Sequence, residues 1–264
     1  MLPVLLEDEV VNNLFISLLR RESTRQTSKW QYVTVVSADG GIRLAALYIE
    51  PFDLLLYEPG SAGNSDAALC LSQELKRIGC APPGVMAKSQ LAKRFSEAFS
   101  RGGITKHYMT ITAMRLDALS DYTKASGICR TLENRDLFFA PYWERAFSED
   151  CRTKAFTISE NLNRLMTRLG KGTHYIWEDG VPVSQAVHGR DTPNGAVING
   201  VYTPPHYRGH GYATSVVAEL SASLLERGKS FCCLFADTDN PAACNIYRKL
   251  GYYDVGELEV IKFG

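Results

Sequence analysis

The chain has 264 residues, of which 45% are hydrophobic, which supports a substantial core and argues against global disorder. Lys plus Arg and Asp plus Glu each total 29, so the formal net charge is zero. That balance argues against a general nucleic-acid binder, which draws on a basic excess to neutralise phosphates, and leaves room for a local basic pocket around a small anion.

The opening stretch MLPVLLEDEVVNNLF carries acidic residues where a secretory leader needs basic ones. No apolar run approaches the ~20 residues of a membrane span. A soluble, cytoplasmic protein without membrane partners is therefore expected. Residues 10–20 read as a helix, with Val11, Leu14, Phe15 and Leu18 on one face. Residues 32–59 read as three strands, with Asp39-Gly40 at the first turn and Pro51 at the second. Residues 65–78 form the next helix, with Asp66 in its opening turn and Gly79 after its end. A short strand over PGVMAKS, a helix over 90–100 and a strand over KHYMTITAMRLDAL complete the first half.

Residues 117–132 are polar and rich in turn residues, without a clear period, and the domain boundary is placed there: 1–125 and 126–264. Two helices follow, over 136–149 and 157–169, the second ended by Gly170 and Gly172. A hairpin turns at Asp179-Gly180, and a third strand, GAVINGVYT, runs into VYTPPHYRGHGYATSVVAEL. The helix opening there carries Ala213, Val216, Val217, Leu220 and Leu224 on one stripe and stops at Gly228. SFCCLFAD is a strand, residues 241–250 a helix and GYYDVGELEVIKF a closing strand region.

Seven cysteines, an odd number without any C-x-x-C pair, read as reduced structural thiols. Cys232 and Cys233 are adjacent in a strand and should face opposite sides. His and Cys residues show no metal-ligand spacing, so no metal is expected.

The exit of GAVINGVYT carries the most chemistry. A glycine-rich loop with Arg208 leads straight into a helix, whose first turn has free N–H groups and a partly positive end. Such a loop suits a pyrophosphate, and equally serves as a plain strand-to-helix turn. No Lys-Ser or Lys-Thr follows the second glycine, which disfavours nucleoside triphosphates, and no G-x-G-x-x-G follows a first strand, which disfavours NAD. Pro204 and Pro205 cannot donate backbone hydrogen bonds, so they should end strand pairing and splay the strand from its parallel neighbour. A second glycine loop, YEPGSAGNSDAA, has no Arg or Lys and reads as a turn.

These residues resemble the GNAT superfamily of acyl-CoA-dependent N-acetyltransferases. YRGHGYA matches its R/Q-x-x-G-x-G/A signature at Arg208, Gly211 and Ala213. NPAACNIYRKLGY is similar to its second signature through Asn240, Ala243, Tyr247, Gly251 and Tyr252. The resemblance covers roughly 134–263, and the whole chain also resembles members with an extra amino-terminal region and a VYTPPxxRGxGYA core. It implies a mixed α/β fold, with a GNAT domain in the second half built on a central, mostly antiparallel sheet flanked by helices. The first half would be an accessory α/β or degenerate GNAT-like domain. It implies acetyl-CoA as donor and an amine as acceptor, and it is compatible with a homodimer.

By the same resemblance, backbone amides from Gly209, His210, Gly211, Tyr212 and Ala213 would hold the pyrophosphate, with a hydroxyl from Thr214. The edge of Val201, Tyr202 and Thr203 would pair with the pantetheine arm, Asn240 would bond that arm, and Tyr247 would be the general acid toward the leaving thiolate. Many family members carry a basic carboxylate on the strand before the loop. Here that strand has none, and Glu178, His188, Asp237 or a water relay stand as candidates. Cys244, three residues before Tyr247, reads as packing. A catalytically inactive CoA-binding module is the alternative to an enzyme.

Overall fold

A computed structural model describes residues 1–22, 30–36, 40–60, 65–100 and 103–264. Asp39 of the Asp39-Gly40 turn and residues 61–64 of the YEPGSAGNSDAA loop lie outside the described residues. The chain divides into two compact units: 1–113 with 236–240 and 254–264, and 114–235 with 241–253.

The first unit begins with two helices, α1 (Leu2–Leu6) and α2 (Asn13–Glu22), where the sequence suggests one. Asn12 falls between them and donates its side-chain amide to the Leu5 carbonyl, which closes the break. Then come β1 (Trp30–Val36), β2 (Ile42–Ile49), β3 (Leu54–Tyr57), α3 (Ser65–Arg77), β4 (Gly84–Lys88), α4 (Ser89–Ser100) and β5 (Thr105–Leu116). A late strand, β11 (Tyr253–Phe263), pairs antiparallel with β4, and β3 pairs parallel with β4. Strand β2 shows how both faces of the sheet are used. Leu44 and Ala46 pack with Leu71, Leu75 and Phe95 of α3 and α4, while Ala45 and Leu47 pack with Leu5, Phe15 and Ile16 of α1 and α2. Alternating side chains of one strand thus serve two helical layers, which is why β2 reads as a continuous apolar run.

The second unit contains β6 (Ile128–Thr131), α5 (Ala140–Asp150), α6 (Ile158–Met166), β7 (His174–Asp179), β8 (Val181–Asp191), β9 (Gly195–Tyr202), α7 (Tyr212–Glu226), β10 (Phe231–Asp237) and α8 (Pro241–Lys249). Strand β6 is an element that polarity concealed; it pairs antiparallel with β7. Thr157 caps α6 through a reciprocal box with Glu160. Strands β6 to β9 are antiparallel neighbours, and β10 lies parallel to β9. Helix α7 covers one face, with Tyr175 touching Ser223 at 3.2 Å, and buries more than one stripe: Ser215, Val216, Val217, Ala218, Leu220, Ser221 and Leu224. Helices α5 and α6 cover the other, where Ile176 packs with Ala140 and Leu165. None of the seven cysteines, all among the described residues, is in a disulfide, and Cys232 and Cys233 are both fully buried. Among the described residues no helix is long and apolar enough to cross a membrane, and no group of three or more His, Cys, Asp or Glu is placed to hold a metal ion.

Two buried polar clusters stiffen this unit. Arg130 on β6 grips Asp136 with two hydrogen bonds of 2.6 and 2.8 Å and reaches Glu178 at 2.6 Å. Asp136 is fully buried and also accepts the Glu133 N–H. Breaking a buried pair leaves an uncompensated charge, so Asp136→Ala is expected to cost about 3–5 kcal/mol, read as a lower denaturant midpoint. In the second cluster His174 is fully buried, bonded to Gln185 at 3.2 Å and near Glu144 and Arg168. Burial lowers its pKa to about 4, against an ordinary 6.5. The unfolded chain therefore binds a proton that the folded chain refuses between these values. Stability is expected to fall as pH drops from about 6.5 to about 4, by up to roughly 3 kcal/mol from this group. His174→Gln should flatten that part of a thermal-melt series against pH.

Candidate active site

The site grows out of a defect in β9. Its parallel register with β10 runs only through Gly195, Ala196 and Val197, opposite Phe231, Cys232 and Cys233. Beyond Val197 no residue of β9 has a partner on β10. The sequence suggests that Pro204 and Pro205 end this pairing, but the strands have separated well before them. The cause lies at Asn199-Gly200. Gly200 is left-handed at φ +61°, and Asn199 Oδ1 accepts its N–H at 2.7 Å. Between Asn199 and Tyr202, β9 spends one more residue than β8 does between Val187 and Gln185, which defines a bulge. Gly200 and Val201 consequently have no register partner on β8 or β10. A side chain at Gly200 would meet Val187 at 3.0 Å. An Asn-Gly pair inside a strand pattern was the available signal for this bulge.

After the bulge the strand is pinned again. Ser184 Oγ bonds the Tyr202 carbonyl at 3.2 Å and the Thr203 hydroxyl at 2.8 Å. A short 3-10 turn over Pro205–Tyr207 follows. Gly209 at φ +84° and Gly211 at φ +80° then shape the loop, and His210 between them is exposed. Nothing lies within 4 Å of where a Gly209 side chain would begin. Gly211 is the N-cap of α7, and no side chain caps that end. The first-turn amides of Tyr212, Ala213 and Thr214 are thus left for another acceptor.

Arg208 does not extend over this loop. Its Nε donates to the Thr203 carbonyl at 2.9 Å, and its outer nitrogen bonds Asp150 at 2.7 Å. It ties the strand exit to the end of α5. The start of α7 is anchored from behind. Tyr212 and Ser126 both donate to Asp179 Oδ2, at 2.7 and 2.6 Å, and hold that carboxyl below its ordinary range, while the Ala125 N–H donates to buried Ser215 Oγ at 2.8 Å. Asp179 supports the loop in a way the sequence did not disclose.

Tyr247 lies on the inner face of α8 with Cys244, and its ring meets Tyr252 edge-on at 5.9 Å. Burial, with Cys151 and Cys244 nearby, pushes its phenol well above the ordinary value, so it keeps its proton at neutral pH. Asn240 falls in the first unit, where its N–H donates to the Asp237 carbonyl at 3.0 Å.

The three base candidates have other work. Glu178 is paired with Arg130 and Arg135, His188 sits 3.0 Å from Asp191, and Asp237 accepts the Asp239 N–H at 3.0 Å. A carboxylate that sequence reading passed over, Glu144 of α5, comes to the bulge instead. Its Oε1 lies 3.8 Å from the position a Gly200 side chain would take and accepts from Arg168 at 3.1 Å. Gln185 Nε2 bridges this oxygen, at 3.4 Å, to the Gly200 carbonyl, at 3.2 Å.

Residues 179–260 match the FR47-like protein family model. No curated protein matches the chain. Among solved structures it is similar to a GCN5-related N-acetyltransferase from Sphaerobacter thermophilus, at 18% identity and TM-score 0.68 over 96% of this chain and 90% of that one. A GCN5-related N-acetyltransferase from Kribbella flavida gives 15% identity and TM-score 0.64 over 97% and 94%. A GNAT-family acetyltransferase from Colwellia psychrerythraea gives 10% and 0.62 over 88% and 85%. The matched segment contains the parted strands, the glycine loop and α7, and the chain shares its fold with these GNAT-family structures.

Proposed function

We propose that this chain transfers an acetyl group from acetyl-CoA to a primary amine of a small molecule or protein. The observation that carries the proposal is the pairing of a bulged, parted strand with an uncapped helix end directly after it. The two features suit the two halves of one donor. The α7 amides behind Gly209 and Gly211 form an anion cradle for the pyrophosphate, backed by a partly positive helix end. Val201, without a register partner, offers backbone groups to the amide-bearing pantetheine arm, as an added strand would use them.

In direct transfer the neutral amine attacks the thioester carbonyl. A C–N bond forms, the carbonyl oxygen takes negative charge in a tetrahedral intermediate, and the C–S bond then breaks. A free backbone N–H of the parted strand would stabilise that oxygen. The departing thiolate accepts a proton, and Tyr247 is proposed to supply it. A phenol kept protonated by burial is suited to donating rather than to serving as base. The residues named all belong to the 126–264 region read as catalytic.

Gly211→Glu is expected to weaken acetyl-CoA binding at least tenfold, because a side chain and a negative charge enter the cradle at a left-handed position. Calorimetry on a variant with an unchanged circular dichroism spectrum checks this, and unaltered affinity would remove the cradle. Tyr247→Phe is expected to slow turnover about tenfold or more with little change in acetyl-CoA affinity. Amine-dependent release of free CoA is the readout. Tight binding of acetyl-CoA without release, across amino acids, polyamines, aminoglycosides and peptides, would instead identify a CoA-binding module.

A further inference from the structure

We propose that Glu144 takes the proton from the acceptor amine, a role that rests on the acetyl-transfer reading above. An ammonium cannot attack a thioester, so one proton must leave the acceptor before the C–N bond forms. Strand β9 supplies no carboxylate, and the carboxylates and histidine first considered are engaged elsewhere. Glu144 reaches the same place from the helix above it. It stands on the buried side of α5 with Ala140 and Pro141 and is itself 9% exposed.

Its two oxygens are used differently. Oε1 is held by Arg168 and Gln185, and Gln185 is held in turn by the Gly200 carbonyl and His174. Oε2 accepts no hydrogen bond from the described residues. The side chain keeps 11% exposure, so this fixed carboxylate presents one open oxygen beside the point where β9 leaves β10. The groups around it are Arg168 after α6, neutral His174 on β7 and Gln185 on β8, with Asp136 near His174. Arg168 sets one positive charge against this carboxylate, while the buried histidine adds no second at neutral pH. Trp143, next on α5, packs on Tyr202 with ring centroids 6.1 Å apart, and this aromatic pair borders the same stretch of β9.

The proton balance is complete. The ammonium gives one proton to Oε2, which passes it to water. The second proton lost from nitrogen as the amide forms matches the one delivered to the thiolate.

The test compares two kinds of nucleophile with acetyl-CoA, reading free CoA. Hydroxylamine is neutral at pH 7 and needs no base; 2-phenylethylamine, spermidine and lysine amide are protonated. Glu144→Gln should lower kcat/KM for whichever protonated amine is used by about a hundredfold at pH 7 and spare hydroxylamine within about threefold. The deficit should shrink as pH rises toward the ordinary amine range of about 10, where solvent has already removed the proton. Retained hydroxylamine turnover shows that the variant is folded. Equal loss with both nucleophiles, no loss with either, or wild-type turnover of hydroxylamine alone would overturn the role of Glu144 and leave acetyl transfer intact. Wild-type failure with every nucleophile would overturn both.

Discussion

Two parallel strands share hydrogen bonds from Gly195 to Val197 and then part, because one of them takes an extra residue at Asn199-Gly200. Gly200 can hold φ +61° at little cost, whereas a side chain there would both strain the backbone and strike Val187. Once the strands have parted, the backbone of β9 beyond Val197 no longer meets β10. The same local rule, a glycine where the chain must turn left-handed, recurs at Gly209 and Gly211 a few residues later. One strand defect and one loop thus stand within a few residues of each other, and the proposed donor site rests on both.

The supporting contacts explain why a loop of exposed glycines can be a defined site. Glycine costs more conformational entropy to fix than any other residue, so the loop must be held at both ends. Ser184 and Arg208 grip the end of β9, and Asp179 and Ala125 grip the start of α7. The flexible residues sit between these anchors. Arg208 therefore contributes by tying the exit of β9 to Asp150.

Most of the fold was legible from residue pattern. Periodicity located α3, α4, α6 and α7, and the β7–β8 hairpin followed from Asp179-Gly180, because these elements use one face or one turn in the ordinary way. Strand β6 was hidden because all four of its residues, Ile128 to Thr131, are at least partly exposed, so no alternation marks them. The glycine loop was legible as a strand-to-helix junction because its residues are contiguous in sequence. Glu144 was not, since its relation to Gly200 exists only after α5 has packed on β9. The prolines were a misleading signal: they explain where the strand ends, whereas separation from β10 is set by a residue whose importance lies in its dihedral angle.

The strand β11 carries a consequence for how the chain comes to be made. It lies between β4 and β5 in the order of the first unit, yet it is separated from β4 in sequence by the whole of the second. On a ribosome, α5 through α8 emerge before it does. The second unit can gather most of its own core while the first still presents β4 as an unpaired edge, open to wrong partners until residues 254–264 arrive. The part of the chain synthesised first is therefore among the last to be completed, and a truncation near residue 250 would damage a sheet whose other strands lie more than a hundred residues upstream.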